Sequence, residues 1–189
     1  MSYKVTIQPT EEPLTLTEAK AHLKVEVTAD DTLITALIQA AREEAEQYLN
    51  LKLITQTVTE KLDCFPTYDD DNIILLSAAP VVSVTSVKYQ DEDDAQQTLS
   101  TDKYGIDTFG LTHNIYLKNN QSWPTVLDEK NAVELTYVVG YGVASDVPQL
   151  IKQSMLLMIG YWYENRTDKV RKMPTQAQWC LDKYRNYTF

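Results

Sequence analysis

Apolar residues recur at helical spacing near both ends of the chain and switch to two-residue alternation in between. Leu16, Ala19 and Leu23 share one face of a first helix. Its start is marked by Thr15 and Glu18 at capping-box spacing, with Leu14 and Ala19 placed to staple the turn. Val25-Glu26-Val27 interrupts the run, and Thr28-Ala29-Asp30-Asp31 restarts it with acidic side chains suited to a helix N-terminus. The second helix carries Leu33, Ile34, Leu37, Ile38, Ala41, Ala45, Tyr48 and Leu49 as a stripe of period 3.6, leaving Arg42, Glu43, Glu44, Glu46 and Gln47 on its polar face.

From Leu53 the period changes. Thr55, Thr57 and Thr59 alternate with Ile54 and Val58, which predicts a strand. Ile73-Ile74-Leu75-Leu76 is a short apolar strand, and Pro80 opens a β-branched run from Val81 to Tyr89. Asp91-Glu92-Asp93-Asp94 is a hairpin tip, with Gln96 to Leu99 returning as the partner strand. Short strands follow at residues 104–107 and 115–117, and the set closes with Val133, Leu135, Tyr137 and Val139 on one face. Hairpin distances between short strands predict an antiparallel sheet or small sandwich. After Gly140-Tyr141-Gly142 helix resumes, with Ser145 or Asp146 as its cap and Pro148 in its first turn. Apolar residues from Leu150 to Trp162 nearly encircle it, the pattern of a buried central helix. Residues 165–172 form a polar link, and Pro174-Thr175 opens a last helix with Ala177, Cys180, Leu181 and Tyr184 on one side.

The two N-terminal stripes cannot be buried alone, and the apolar third helix needs cover. Packing them together predicts an α+β fold: a discontinuous helical bundle of residues 14–50 and 146–189, with an antiparallel β module inserted at 54–140.

At 189 residues, 43% hydrophobic and 23% charged, the chain can bury a proper core. It has no apolar run long enough for a membrane span. Met1-Ser2-Tyr3-Lys4 does not lead into a signal-peptide pattern, so a cytoplasmic origin is expected. Cys64 and Cys180 lack metal-binding or redox spacing and read as two reduced thiols. A net charge of −10 opposes stable nucleic-acid binding, yet it suits a surface that DNA slides past without sticking.

Candidate chemistry is thin. The acidic runs at 69–71 and 91–94 lack the alternating ligands, turn glycine and distal glutamate of a calcium loop, and read as solvated turns. His22 and His113 have no second ligand at metal spacing; His22 is read as a helix-surface or interface residue. No nucleophile elbow, phosphate loop or zinc-protease motif occurs, so neither cofactor nor metal is expected. Twelve tyrosines and three tryptophans could line a carbohydrate cleft, but they are also the residues protein interfaces favour. Arg166, Lys169, Arg171 and Lys172 form a basic cluster in an acidic chain, either an exposed polar linker or a docking segment for an acidic neighbour.

The opening Leu16-Thr17-Glu18-Ala19-Lys20-Ala21-His22-Leu23-Lys24-Val25 and the acidic pair before Leu33-Ile34 come first in a familiar order. Ile38-Gln39-Ala40-Ala41-Arg42-Glu43, the run from Pro80 to Tyr89, and Tyr137-Val138-Val139-Gly140-Tyr141-Gly142 follow. Val147-Pro148 then leads through to Trp162-Tyr163-Glu164-Asn165-Arg166. In that order and spacing they resemble the tailed-phage head–tail connector (adaptor) proteins over most of the chain, departing at Gln176-Ala177-Gln178-Trp179. The resemblance implies a virion subunit, made in the host cytoplasm, that forms a ring on the portal protein with twelve-fold symmetry. It would link the DNA-filled head to neck and tail completion proteins, let DNA pass its channel without stable binding, and catalyse nothing. Portal docking is then expected of Arg166, Lys169, Arg171, Lys172, Trp179, Tyr184, Tyr187 and Phe189, on a C-terminal arm from about residue 165. Subunit contact is expected near Arg42, Glu43, Glu44 and Glu46. The alternative is a small enzyme or carbohydrate-binding module using the β region.

Overall fold

A computed structural model describes residues 3–66, 73–110, 112–166 and 173–186. The chain divides into two units: one runs to Gln8 and resumes over Thr55–Gly140, the other comprises Pro9–Ile54 and the segment from Tyr141 onward.

The second unit is helical. Helix α1 (Leu16–Leu23) begins with a complete capping box: the Thr15 hydroxyl accepts the Glu18 N–H at 3.2 Å, and the Glu18 carboxylate accepts the Thr15 N–H at 2.7 Å. It ends at Lys24 in the left-handed region (φ 55°), with the Val25 N–H donating to the Lys20 carbonyl at 3.0 Å, a Schellman closure without glycine. Helix α2 (Asp31–Leu49) ends in the same way at Asn50. Helix α3 (Gln149–Glu164) buries Ile151, Met155, Met158 and Ile159 on one side, while Leu156, Leu157 and Trp162 are half-buried. The encircling apolar pattern thus becomes a helix with one deeply buried face. Neither Ser145 nor Asp146 caps α3. Asp146 instead accepts the Val143 N–H at 3.1 Å in a short 3-10 turn, and Pro148 leads directly into the helix. Helix α4 (Thr175–Asp182) places Ala177 and Leu181 at zero exposure in the core shared with Ile34, Ile38, Ala41, Ala45, Leu49, Met155 and Met158. This corrects the expectation of a separate arm over the described part of that segment, because α4 covers the bundle.

The other unit is antiparallel β. Strands β1 (Tyr3–Ile7), β2 (Gln56–Leu62), β4 (Val81–Gln90), β5 (Gln96–Thr98) and β8 (Val133–Val139) form a five-stranded sheet in the order β1-β2-β8-β4-β5. Strands β3 (Ile73–Leu75), β6 (Tyr104–Asp107) and β7 (Asn114–Leu117) form a second sheet in the order β3-β7-β6. Strand β8 sits centrally and alternates strictly, burying Val133, Leu135, Tyr137 and Val139. These residues share one core with Val58, Val87, Ile74, Tyr104 and Ile115, so both sheets contribute an inner face. Phe65 stacks on Trp123 beside this core, ring centroids 4.8 Å apart. Strand β1 is an element that hydrophobic pattern did not foretell, since Lys4 and Thr6 alternate with modest apolar neighbours over five residues.

Candidate interaction surfaces

Two buried polar networks organise the interiors. In the helical unit Arg42 and Glu46, read from the sequence as a polar face, are each 5% exposed. The Arg42 guanidinium meets Glu12 at 2.8 Å and Glu46 at 3.5 Å; Glu46 also meets Lys52 at 3.1 Å and accepts the buried Leu53 N–H at 3.0 Å. Burial opposes the charge on Arg42, but the Glu12 hydrogen bond and the surrounding carboxylates outweigh it and raise its pKa. Arg42 and Glu46, on the polar side of the α2 pattern, are therefore taken up inside the helical unit. Glu43 and Glu44 of that set stay exposed.

In the β unit the fully buried Glu60 accepts from the Tyr137 hydroxyl at 2.7 Å, the Ser77 N–H at 3.1 Å and the Ser77 hydroxyl at 2.5 Å. The Tyr137 oxygen in turn accepts the Ala78 N–H at 3.2 Å. Desolvation first, then the Glu60 charge, push the Tyr137 phenol far above its ordinary value, so it stays a donor. His113 is likewise structural: its Nδ1 accepts the Val81 N–H at 2.8 Å. With every carboxylate oxygen of Glu60 engaged, this cluster fixes strands to one another and offers no free base.

The sequence-predicted docking residues are scattered. Arg166 is bound within its own unit, 3.3 Å from Asp30 and 4.9 Å over the Tyr163 ring. Tyr163 donates to Asp30 at 2.5 Å; that bond, with Arg166 adding to it, holds the Asp30 carboxyl below its usual value. Trp179 is 60% exposed with the Lys183 ammonium 3.9 Å from its ring, whereas Tyr184 packs against the helical core. Lys169, Arg171, Lys172, Tyr187 and Phe189 lie outside the described residues, as do Asp69, Asp70 and Asp71. Cys64 is exposed, Cys180 is buried, and both are free thiols. Among the described residues no cluster of His, Cys, Asp or Glu is placed to hold a metal ion, and no helix is long and apolar enough to cross a membrane.

Sequence pattern alone missed the outer face of the five-stranded sheet. Opposed residues of an antiparallel pair share a face. The row Lys61–Glu134–Lys88 therefore crosses three strands, beside the row Lys4–Thr59–Thr136–Ser86. A groove of about 500 Å³ lies there, lined by Lys4, Thr6, Thr59, Lys61, Asn131 and Glu134 among others. The groove is polar, with the Lys61–Glu134 ion pair at 3.3 Å on its wall.

The chain belongs to the head completion protein family, whose model matches residues 12–187. As a member of that family it is a structural protein of phage head completion and not an enzyme. No curated protein sequence is similar to it. Among solved structures it is similar to a protein in the neck of an empty gene transfer agent particle computed with C6 symmetry (TM-score 0.83). It is also similar to chains in the virion of the native gene transfer agent particle (0.81) and in that particle's neck computed with C12 symmetry (0.79). Each is 19% identical, and each match covers 100% of this chain and 97% of the other. The enzyme alternative for the β region falls with family membership.

Proposed function

We propose that the protein is one subunit of a ring that seats on the portal vertex and joins the DNA-filled head to the neck and tail. The observation that carries this reading is the end-to-end similarity of fold to a chain from a neck described with C12 symmetry. Twelve copies would close through a heterologous contact, in which two different patches of one subunit meet. In this reading the two compact units are the working domains: the helical unit with its exposed Trp179, and Glu43 and Glu44, supplies docking and subunit surfaces. Residues 55–140 hold fourteen acidic residues against five lysines, which favours DNA passage without retention.

Particle production without this chain tests the role. Heads that are filled but separated from free tails, and rejoined on adding the protein back, are the expected result. Normal, infectious particles in its absence would end the proposal.

A further inference from the structure

The outer face of the five-stranded sheet carries lysines from its β1 edge inward, and the acidic β4–β5 turn closes its other edge. Strand β1 is one edge and β5 the other, separated by four strand spacings, about 19 Å. The β4–β5 hairpin tip carries Asp91, Glu92, Asp93 and Asp94. Asp91 builds the turn, accepting the Asp93 and Ala95 N–H groups at 3.1 and 2.9 Å and the Gln97 amide at 2.8 Å. Glu92, Asp93 and Asp94 are exposed.

Three of this unit's six lysines, Lys4, Lys61 and Lys88, lie on the outer sheet face with Glu134 as the one acid among them. Lys61 is paired to Glu134 at 3.3 Å, while Lys4 and Lys88 have no ion-pair partner among the described residues. The face is polar but not acidic in a unit that is otherwise strongly so. The row Lys61–Glu134–Lys88 runs straight across the sheet to the base of the tip, because Lys88 and Gln90 are paired with Thr98 and Gln96 in β5. A lysine face that begins at the β1 edge and an acidic turn at the β5 edge are two different patches of one subunit, as a head-to-tail contact between identical subunits requires.

We propose that the Lys4–Lys61–Lys88 face of one subunit receives the acidic hairpin tip, residues 91–94, of the next copy of this chain. The inference rests on the ring reading above and assigns one contact within it. Charge complementarity selects the second copy as occupant: the tip brings three exposed carboxylates to a face with two unpaired lysines and a groove of about 500 Å³. Threonine and asparagine side chains lining that groove, Thr6, Thr59 and Asn131, supply hydrogen-bonding groups around the lysines. Such a contact is weakened by salt.

The test is disulfide trapping in necks isolated from particles carrying the full chain. Cys64, which is exposed, is first replaced by serine, and Cys180 stays buried. Lys61→Cys and Asp93→Cys are introduced together and, as controls, singly. Oxidation is expected to give a ladder of covalent multimers from the double variant and none from either single variant. In parallel, Lys61→Glu should lower particle yield by about tenfold or more, and adding Asp93→Lys should restore most of it. Intact rings with no ladder and no effect of either charge change overturn this contact while leaving the ring in place. Trapping of a different neck protein by Lys61→Cys overturns it too. Particles in which the parent chain forms no ring at all would instead overturn the ring reading itself.

Discussion

Replacing Glu46 by alanine should destabilise the helical unit by about 3 kcal/mol, although Glu46 reads as a surface glutamate on a charged helix. Two losses combine. The Leu53 N–H, fully buried, loses its acceptor at 3.0 Å, and an orphaned buried donor costs about 1–3 kcal/mol. Lys52 and Arg42 lose the carboxylate at 3.1 and 3.5 Å. Stripping a buried charge of its partner can cost about 3–5 kcal/mol, but Arg42 keeps Glu12 at 2.8 Å and Lys52 retains some solvent, so this part is smaller. Urea unfolding followed by helical circular dichroism reads the sum. With a slope of about 2 kcal/mol per molar, the midpoint should fall by roughly 1.5 M. Glu46→Gln keeps an acceptor for Leu53 and should cost less than the alanine. Glu43→Ala, on an exposed neighbour, should stay within about 0.5 kcal/mol of the parent. A Glu46→Ala protein as stable as Glu43→Ala would refute the assignment of this carboxylate to the interior.

Tyr137→Phe removes a donor to buried Glu60 and the acceptor of the Ala78 N–H, and should lower β-unit stability by about 2–3 kcal/mol in urea unfolding followed by near-ultraviolet circular dichroism. Leu181→Ala, at zero exposure in α4, should cost about 2–5 kcal/mol, and deleting residues 174–189 should unfold the helical unit; a truncated protein with parental melting would restore the arm reading. The Thr15 N–H and then its hydroxyl hold Glu18 below its ordinary value of 4.5. Because the folded value is depressed, the stability it contributes is full above that ordinary value and is lost as pH falls through the folded one. Proton titration by NMR should show a low Glu18 midpoint that rises part-way towards 4.5 in Thr15→Ala, which removes the hydroxyl and keeps the N–H, and an unmoved midpoint would contradict the hydroxyl's share in holding it down. The purified protein should give no duplex-DNA shift at physiological salt; tight, salt-sensitive binding would reverse the account of its acidity.

The helices and most strands were legible because burial imposes a period. Ile34, Ile38, Ala41, Ala45 and Leu49 mark α2 as plainly in the sequence as in the core, and Val133 to Val139 alternate as a half-buried strand must. What failed was the assumption that charge means surface. Arg42 and Glu46 are buried because Glu12, Lys52 and the Leu53 amide, none within one helical turn of both, complete their coordination. Glu60 escaped notice for the same reason, as its partners Ser77 and Tyr137 are 17 and 77 residues away. Lys4, Lys61 and Lys88 form a face only through the register of β1, β2, β8 and β4, which local pattern does not encode. Membership in a head–tail connector family was readable from ordered local signals; the surfaces that would act there depend on long-range pairing.

The central claim is that this chain works as a ring at the head–tail junction, and imaging that junction tests it most directly. Electron cryomicroscopy of necks from particles carrying the protein, without imposed symmetry, should place the fold in a closed ring between head and tail. Twelve copies are expected, each with its acidic hairpin against the neighbour's lysine face. Density for this fold at another site in the particle, or as isolated single copies, would contradict the account.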